Sequence, residues 1–147
     1  MEFDYGRRAN LGWLLMQGFR WFHDGLLIAL HTSGWPAITP GQSLLFPQLD
    51  PDGTTQSELA RRLGVSRQAV HQLVSELVSM GLLEVVQDPS SQRSKLVRLT
   101  DSGRDSVKTA LATFEVIEER LSARIGDRHV RALRGALEAD WGAPPTI

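Results

Sequence analysis

The stretch that decides the fold runs from Thr54 to Thr100 and reads TTQSELARRLGVSRQAVHQLVSELVSMGLLEVVQDPSSQRSKLVRLT. Thr55-Gln56-Ser57-Glu58 has the Ser/Thr-x-x-Glu spacing of a capping box, in which a hydroxyl and a carboxylate satisfy backbone donors of a first helical turn. A short helix follows, with Leu59, Ala60 and Leu63 facing inward. Gly64 can take the positive φ that a tight helix-to-helix turn requires. Ser66 then caps a second, longer helix. Its inward face is Ala69, Val70, Leu73, Val74, Leu77 and Val78, spaced three and four apart, and Gly81 ends it. Two helices joined by a short Gly-containing turn form a helix-turn-helix pattern.

The period changes after Gly81. Leu83-Glu84-Val85-Val86 and Leu96-Val97-Arg98-Leu99 read as two short strands, joined by the polar run Asp88 to Lys95. This predicts a hairpin appended to the two helices: a wing. The fold class is therefore mainly α with a small β-hairpin wing.

The longer helix has an outward face as well. Ser66, Arg67, Gln68, His71, Gln72 and Ser75 come first and include no carboxylate; Glu76 and Ser79 follow. Arg pairs with guanine and Gln with adenine in the major groove of duplex DNA. Arg67, Gln68, His71 and Gln72 are candidate base readers, and Ser66 and Ser75 suit phosphate. Arg93 and Lys95 lie at the hairpin tip and returning strand, where a cation can enter a minor groove or hold phosphate.

Helices flank this segment. Residues 7–32 carry Leu11, Leu15, Gly18, Phe22 and Leu26 at helical spacing, with Leu14, Trp21 and Ile28 widening the apolar face. Thr39-Pro40 opens another helix, with Leu44, Leu45, Phe46 and Leu49 on its apolar side. Pro47 removes a donor and predicts a kink or early end. Asp50 to Gly53 is a turn by composition. A long helix from Thr100-Asp101 carries Val107, Leu111, Phe114, Leu121 and Ile125 on one stripe, with Ala110 and Ile117 beside it. Gly126-Asp127 reads as a stop followed by a new cap. Val130, Leu133, Leu137 and Trp141 give a last short helix, and residues 142–147 a frayed tail.

Composition narrows the function classes. The 147 residues amount to about one domain at roughly 100–200 residues each. With no cysteine there is no disulfide scaffold, thiolate-held zinc, thiol nucleophile or thiol switch. The longest purely apolar run, Leu26 to Leu30, is far short of the ~20 residues a spanning helix needs. The N-terminus lacks a signal-peptide pattern, so a cytoplasmic protein with no membrane partner is expected. Net charge is −1, but residues 54–100 are locally basic between mildly acidic flanks. No Gly-x-Gly-x-x-Gly, Gly-Lys phosphate loop or His-Glu-x-x-His occurs, so no enzyme is indicated and no cofactor is expected. His23, His31, His71 and His129 form no His-x₃-His pair. His23 and His31, eight apart, could share a helical face and meet across a dimer, but satisfied or exposed histidines without metal are the expectation.

Thr54 to Thr100 resembles the winged helix-turn-helix of the MarR (multiple antibiotic resistance regulator) family. Ile38-Thr-Pro-Gly-Gln before the second helix and Thr100-Asp-Ser-Gly-Arg opening the long C-terminal helix resemble it too. The resemblance implies a homodimeric DNA-binding transcriptional regulator. Residues 1–36 would be an N-terminal dimerisation helix, 37–100 the DNA-binding domain and 101–147 C-terminal dimerisation helices, all in one compact unit. It implies a ligand-responsive repressor on a pseudo-palindromic operator, with a cleft for a small aromatic effector. For that effector, Trp13, Gln17 and Trp21 share a helical face with Arg20 adjacent as a carboxylate partner, although such rings also suit a dimer core. One departure concerns the wing, which in the family reads Asp-Pro-x-Asp-x-Arg. Here Ser91 replaces the second Asp, predicting a hydroxyl contact and a looser Arg93. The rival reading is a dimeric interaction or ligand-binding protein on the same scaffold that has lost DNA binding.

Overall fold

Each of the first five α-helices starts on a side-chain cap, and these caps fix where the chain turns. The computed structural model describes residues 10–146. Helix α1 (Leu11–Thr32) opens on Asn10, whose side-chain Oδ1 accepts from the Trp13 N–H. Residues 7–9 of the expected first helix lie outside the described residues. Helix α2 (Pro40–Leu45) opens on Thr39, and α3 (Gln56–Leu63) on Thr55. Helix α4 (Arg67–Ser79) opens on Ser66 and α5 (Asp101–Ile125) on Thr100. Helix α6 (Asp127–Glu138) follows Gly126 with no side-chain cap, so Asp127 is its first residue and not the cap that its sequence suggested.

Two expectations about breaks hold locally. Helix α2 ends at Leu45, and the backbone tightens into a 3₁₀ turn over Phe46–Gln48, where Pro47 cannot donate. Between α3 and α4, Gly64 adopts φ 65°, and its N–H and that of Val65 close the α3 C-terminus on Arg61 and Ala60 carbonyls.

Strands β1 (Leu83–Gln87) and β2 (Lys95–Leu99) pair antiparallel, with Leu83 opposite Leu99 and Gln87 opposite Lys95. Thr54 adds a short bridge on the free edge of β2: its N–H donates to the Val97 carbonyl (2.9 Å) and the Val97 N–H donates back (2.8 Å). Leu45, Leu59, Val70, Val74, Leu77, Leu82, Leu83 and Val97 close one core under α2, α3, α4 and the hairpin. The inward face of α4 is narrower than its sequence suggested, because Val78 remains 39% exposed.

The joint between this core and α5 is tight. The Leu82 carbonyl accepts from the Thr100 N–H (3.1 Å), and Gly103 sits directly against that carbonyl, where any Cβ would overlap it. Helix α5 then runs along α1, with Phe22 and Phe114 rings 6.5 Å apart and Gly25 against Ile117.

The long helices depart from expectation in what they bury. On α1 only His23, Leu26 and Leu30 are buried, while Leu11, Leu14 and Ile28 are exposed. Leu111 and Ile125 of the expected α5 stripe are also exposed. These side chains are left uncovered by the other described residues. His23 is neither satisfied nor exposed. It is 3% accessible, and neither ring nitrogen finds a hydrogen-bond partner among the described residues. Burial accordingly pushes its pKa below the usual imidazole value, against the opposing pull of Asp24. Finally, Trp141 lies beyond α6 and not within it. Its indole N–H folds back onto the Ala136 carbonyl (2.7 Å), capping the helix end from outside.

Candidate nucleic-acid interface

Burial of Val70, Val74 and Leu77 turns the opposite side of α4 outward. Ser66, Arg67, Gln68, His71, Gln72 and Ser75 are all exposed, so the structure brings the six proposed helix residues onto one accessible surface. The Ser66 hydroxyl oxygen accepts from the Ala69 N–H (3.1 Å), which leaves its O–H free to donate outward. Among the described residues, the side chains of Arg67, Gln68, His71 and Ser75 make no hydrogen bond or ion pair. Gln72 differs: its Nε2 donates to Glu76 (3.2 Å). Glu76 in turn accepts from Nε2 of the buried Gln42 on α2 (2.6 Å).

The two cations just before α4 are occupied elsewhere. Arg62 forms a two-pronged pair with Asp50 (both bonds 2.9 Å), donates to Glu58 (2.9 Å), and reaches the Gln48 carbonyl (2.7 Å). Arg61 pairs with the same Glu58. Hydrogen bonds from Arg61 and Arg62 hold the Glu58 carboxyl at a pKa of about 2, and Arg62 also lowers that of Asp50. The Thr55 hydroxyl accepts from the Glu58 N–H (3.2 Å), but the Glu58 carboxylate turns to the arginines. Only half of the expected capping box forms. The complete one is on α2, where Thr39 and Gln42 satisfy each other reciprocally.

The wing carries Arg93 and Lys95, both exposed and without side-chain partners among the described residues. Its loop is built by short polar contacts. Asp88 accepts from the Ser90 N–H (2.8 Å) and hydroxyl (2.7 Å), and Gln87 donates to the Ser91 and Ser94 carbonyls. Ser91 Oγ accepts from the Arg93 N–H (3.3 Å). The hydroxyl thus holds the backbone at Arg93 and leaves the guanidinium unrestrained.

A cavity of about 620 Å³ lies between α1, α5 and the α2–3₁₀ segment. Phe19, Leu26, Ile38, Phe46, Val107 and Phe114 give it apolar walls; Arg104, Ser106, Ser43 and Asp50 supply polar groups. Trp13, Gln17, Arg20 and Trp21 lie on α1 but do not line this cavity. Gln17, Arg20 and Trp21 are exposed, with Trp21 set edge-on to Phe22 (5.2 Å). The lining residues come from four separated segments, which spacing along one helix does not reveal. Among the described residues, no group of three or more His, Asp or Glu side chains is arranged to hold a metal, and no helix is long and apolar enough to cross a membrane.

This geometry is that of a winged helix-turn-helix protein. Residues 38–94 match the family described as the MarR family. The uncharacterized protein Rv2011c of Mycobacterium tuberculosis is 34% identical over 83 residues, spanning 56% of this chain and 58% of that one. The match therefore covers little more than half of that relative. The solved structure of the transcriptional repressor CouR, bound to a 23-mer DNA duplex, superposes with a TM-score of 0.67 at 26% identity, covering 93% of this chain and 96% of that one. CouR of Rhodococcus jostii RHA1 is also solved with p-coumaroyl-CoA, at 25% identity and a TM-score of 0.67 over 90% of this chain and 92% of that one. The Mycobacterium tuberculosis MarR family protein Rv2887, solved with salicylic acid, is 29% identical with a TM-score of 0.63, covering 88% of this chain and 95% of that one. Residues 38–94 thus resemble the MarR family, and the described chain shares the fold of its solved members.

Proposed function

We propose that this protein is a ligand-responsive transcriptional regulator that binds a pseudo-palindromic DNA site as a homodimer. The observation that carries the reading is the exposed, carboxylate-free start of α4 beside a wing whose Arg93 and Lys95 are unpaired among the described residues. Helix α4 enters the major groove, where Arg67, Gln68, His71 and Gln72 read base edges and Ser66 and Ser75 hold phosphate. Arg93 and Lys95 reach the adjacent minor groove or backbone. CouR, a repressor solved on DNA, supports this use of the scaffold.

The N-terminal helix and the helices after residue 100 form the dimer frame. Leu11, Leu14, Ile28, Leu133 and Leu137 are exposed on α1 and α6, apolar side chains that a second copy would cover. A two-fold dimer sets its two α4 helices about one DNA turn, ~34 Å, apart. Bound across a promoter, it represses by occlusion. A small aromatic molecule in the cavity shifts the spacing between the two winged units and releases the DNA. The ligands of CouR and Rv2887 support an aromatic occupant.

Selection of bound duplexes from fragments of the source genome tests the reading. The purified protein is expected to enrich a common inverted repeat. Recovery of unrelated fragments at equal affinity would favour the interaction-protein alternative.

A further inference from the structure

We propose that Gln42 and Glu76 are positioning residues that preset Gln72 to read adenine; this rests on the reading of α4 as the base-reading helix. Among the described residues, Gln72 is the one proposed helix base reader whose side chain is held by another side chain. Its Nε2 donates to Glu76 Oε1 (3.2 Å), and Gln42 Nε2 donates to Glu76 Oε2 (2.6 Å). Both carboxylate oxygens are thereby engaged by amide N–H groups. No ion pair involving Glu76 is formed among the described residues, so the half-buried charge has amide neighbours and not a cation.

The anchor itself is fixed. Gln42 is 2% exposed, and its Oε1 accepts from the Thr39 N–H (2.9 Å) as part of the α2 capping box. Its amide can therefore present only nitrogen to Glu76. Glu76, so held, can only accept, and it selects the nitrogen end of Gln72. This orders a flexible side chain before DNA arrives, and ordering a long side chain is a cost that otherwise falls on binding.

The hydrogen-bond inventory left on Gln72 is specific. A primary amide has two N–H donors and one carbonyl acceptor. One N–H is committed to Glu76, and one N–H plus Oε1 remain. That pair is the complement of adenine, which offers N6–H₂ as donor and N7 as acceptor in the major groove. Guanine offers two acceptors there, which the remaining oxygen cannot satisfy. Carboxylates in contact with DNA bases usually accept from cytosine; each oxygen of Glu76 instead accepts from one protein amide, Gln42 or Gln72, and we assign its role on that contact. Its role is exerted through Gln72 and not on a base.

The test is selection of bound sites from randomised duplexes, followed by affinity ratios for adenine against the other bases at each selected position. The variants are Gln72→Ala, Gln42→Leu, Glu76→Ala and the double variant Gln42→Leu/Gln72→Ala. Gln72→Ala should abolish one adenine preference per half-site. Gln42→Leu and Glu76→Ala should each weaken that same preference about tenfold, within the range a bidentate base contact contributes. The double variant should lose no more than Gln72→Ala alone. Glu76→Ala should keep the affinity of wild type for random DNA, which separates positioning from a folding defect; Gln42→Leu also breaks the α2 capping box and is compared well below its lowered melting temperature. If Gln42→Leu does not fold, Glu76→Ala decides alone. Unchanged adenine preference in Gln42→Leu or Glu76→Ala overturns the proposal, as does a wild-type site that Gln72→Ala leaves intact. If the wild-type protein selects no sequence at all, the reading of α4 fails and the proposal falls with it.

Discussion

The two halves of this molecule differ in how far one chain satisfies them. The winged unit from α2 to β2 closes on itself: eight aliphatic side chains are almost completely buried, and its polar edges are tied by Arg62, Gln42 and the Thr54 bridge. The frame of α1, α5 and α6 does not close. Over its 25 residues α5 buries only Gly103 and Ser106, and α6 buries only Val130. Exposed leucines remain on both α1 and α6. On the proposed function, a self-contained winged unit, the head, is carried on a frame whose open apolar faces a second copy would cover. Dimerisation would then set the spacing of two such heads.

The largest expected effect breaks the frame and spares the head. Leu133→Glu combined with Leu137→Glu places charges on the open face of α6. Sedimentation should show a monomer, with affinity for a two-half-site duplex down about 10²–10⁴-fold as the linked second binding event is lost. An unaltered dimer would show that α6 is not part of the interface. Next is the joint between the two regions. Gly103→Ala forces a methyl group against the Leu82 carbonyl and should cost at least the ~1–3 kcal/mol typical of overpacking, read by denaturant unfolding. A variant as stable as wild type would mean that the joint gives way easily.

Within the head, Arg67→Ala or Gln68→Ala should cost ~1–3 kcal/mol on the selected site and relax its sequence preference, as measured by titration. An equal loss on random DNA would reassign that side chain to phosphate. Within the frame, His23 is a buried imidazole whose protonation burial disfavours. Its folded pKa lies below its unfolded value, so the unfolded chain takes up a proton first as pH falls. Stability should be full above the ordinary imidazole pKa and decline as pH drops through it toward the lowered one. His23→Leu should flatten that part of the melting-temperature profile; an unchanged slope would assign it to another group.

Local signals made the head legible. Thr39, Thr55, Ser66 and Thr100 act on donors three residues away, Gly64 takes its positive φ, and Pro47 converts α2 into a 3₁₀ turn, all within reach of sequence spacing. The exposed face of α4 followed once its buried face was known. What escaped the sequence depends on partners distant along the chain, or on rivals for the same group. Glu58 could have completed a capping box, but two arginines one helical turn on compete for it and win. Gln42 and Glu76 are 34 residues apart, and no spacing rule joins them. The cavity gathers Phe19, Phe46, Leu99 and Phe114 from four segments, whereas a helical wheel offered Trp13, Gln17, Arg20 and Trp21. On α1, apolar periodicity marked surface for burial without showing which side is covered by α5 and which lies open.

The central claim is that the winged unit holds DNA through an electrostatic grip as well as base contacts. It is tested most directly by measuring affinity for the selected site across salt concentrations, for wild type and Arg93→Ala. The account predicts steep, sequence-selective binding, with a log–log slope that becomes shallower by about 0.9 when Arg93 is removed, as one neutralised phosphate requires. Weak binding that ignores sequence, or an identical slope in both proteins, would contradict it.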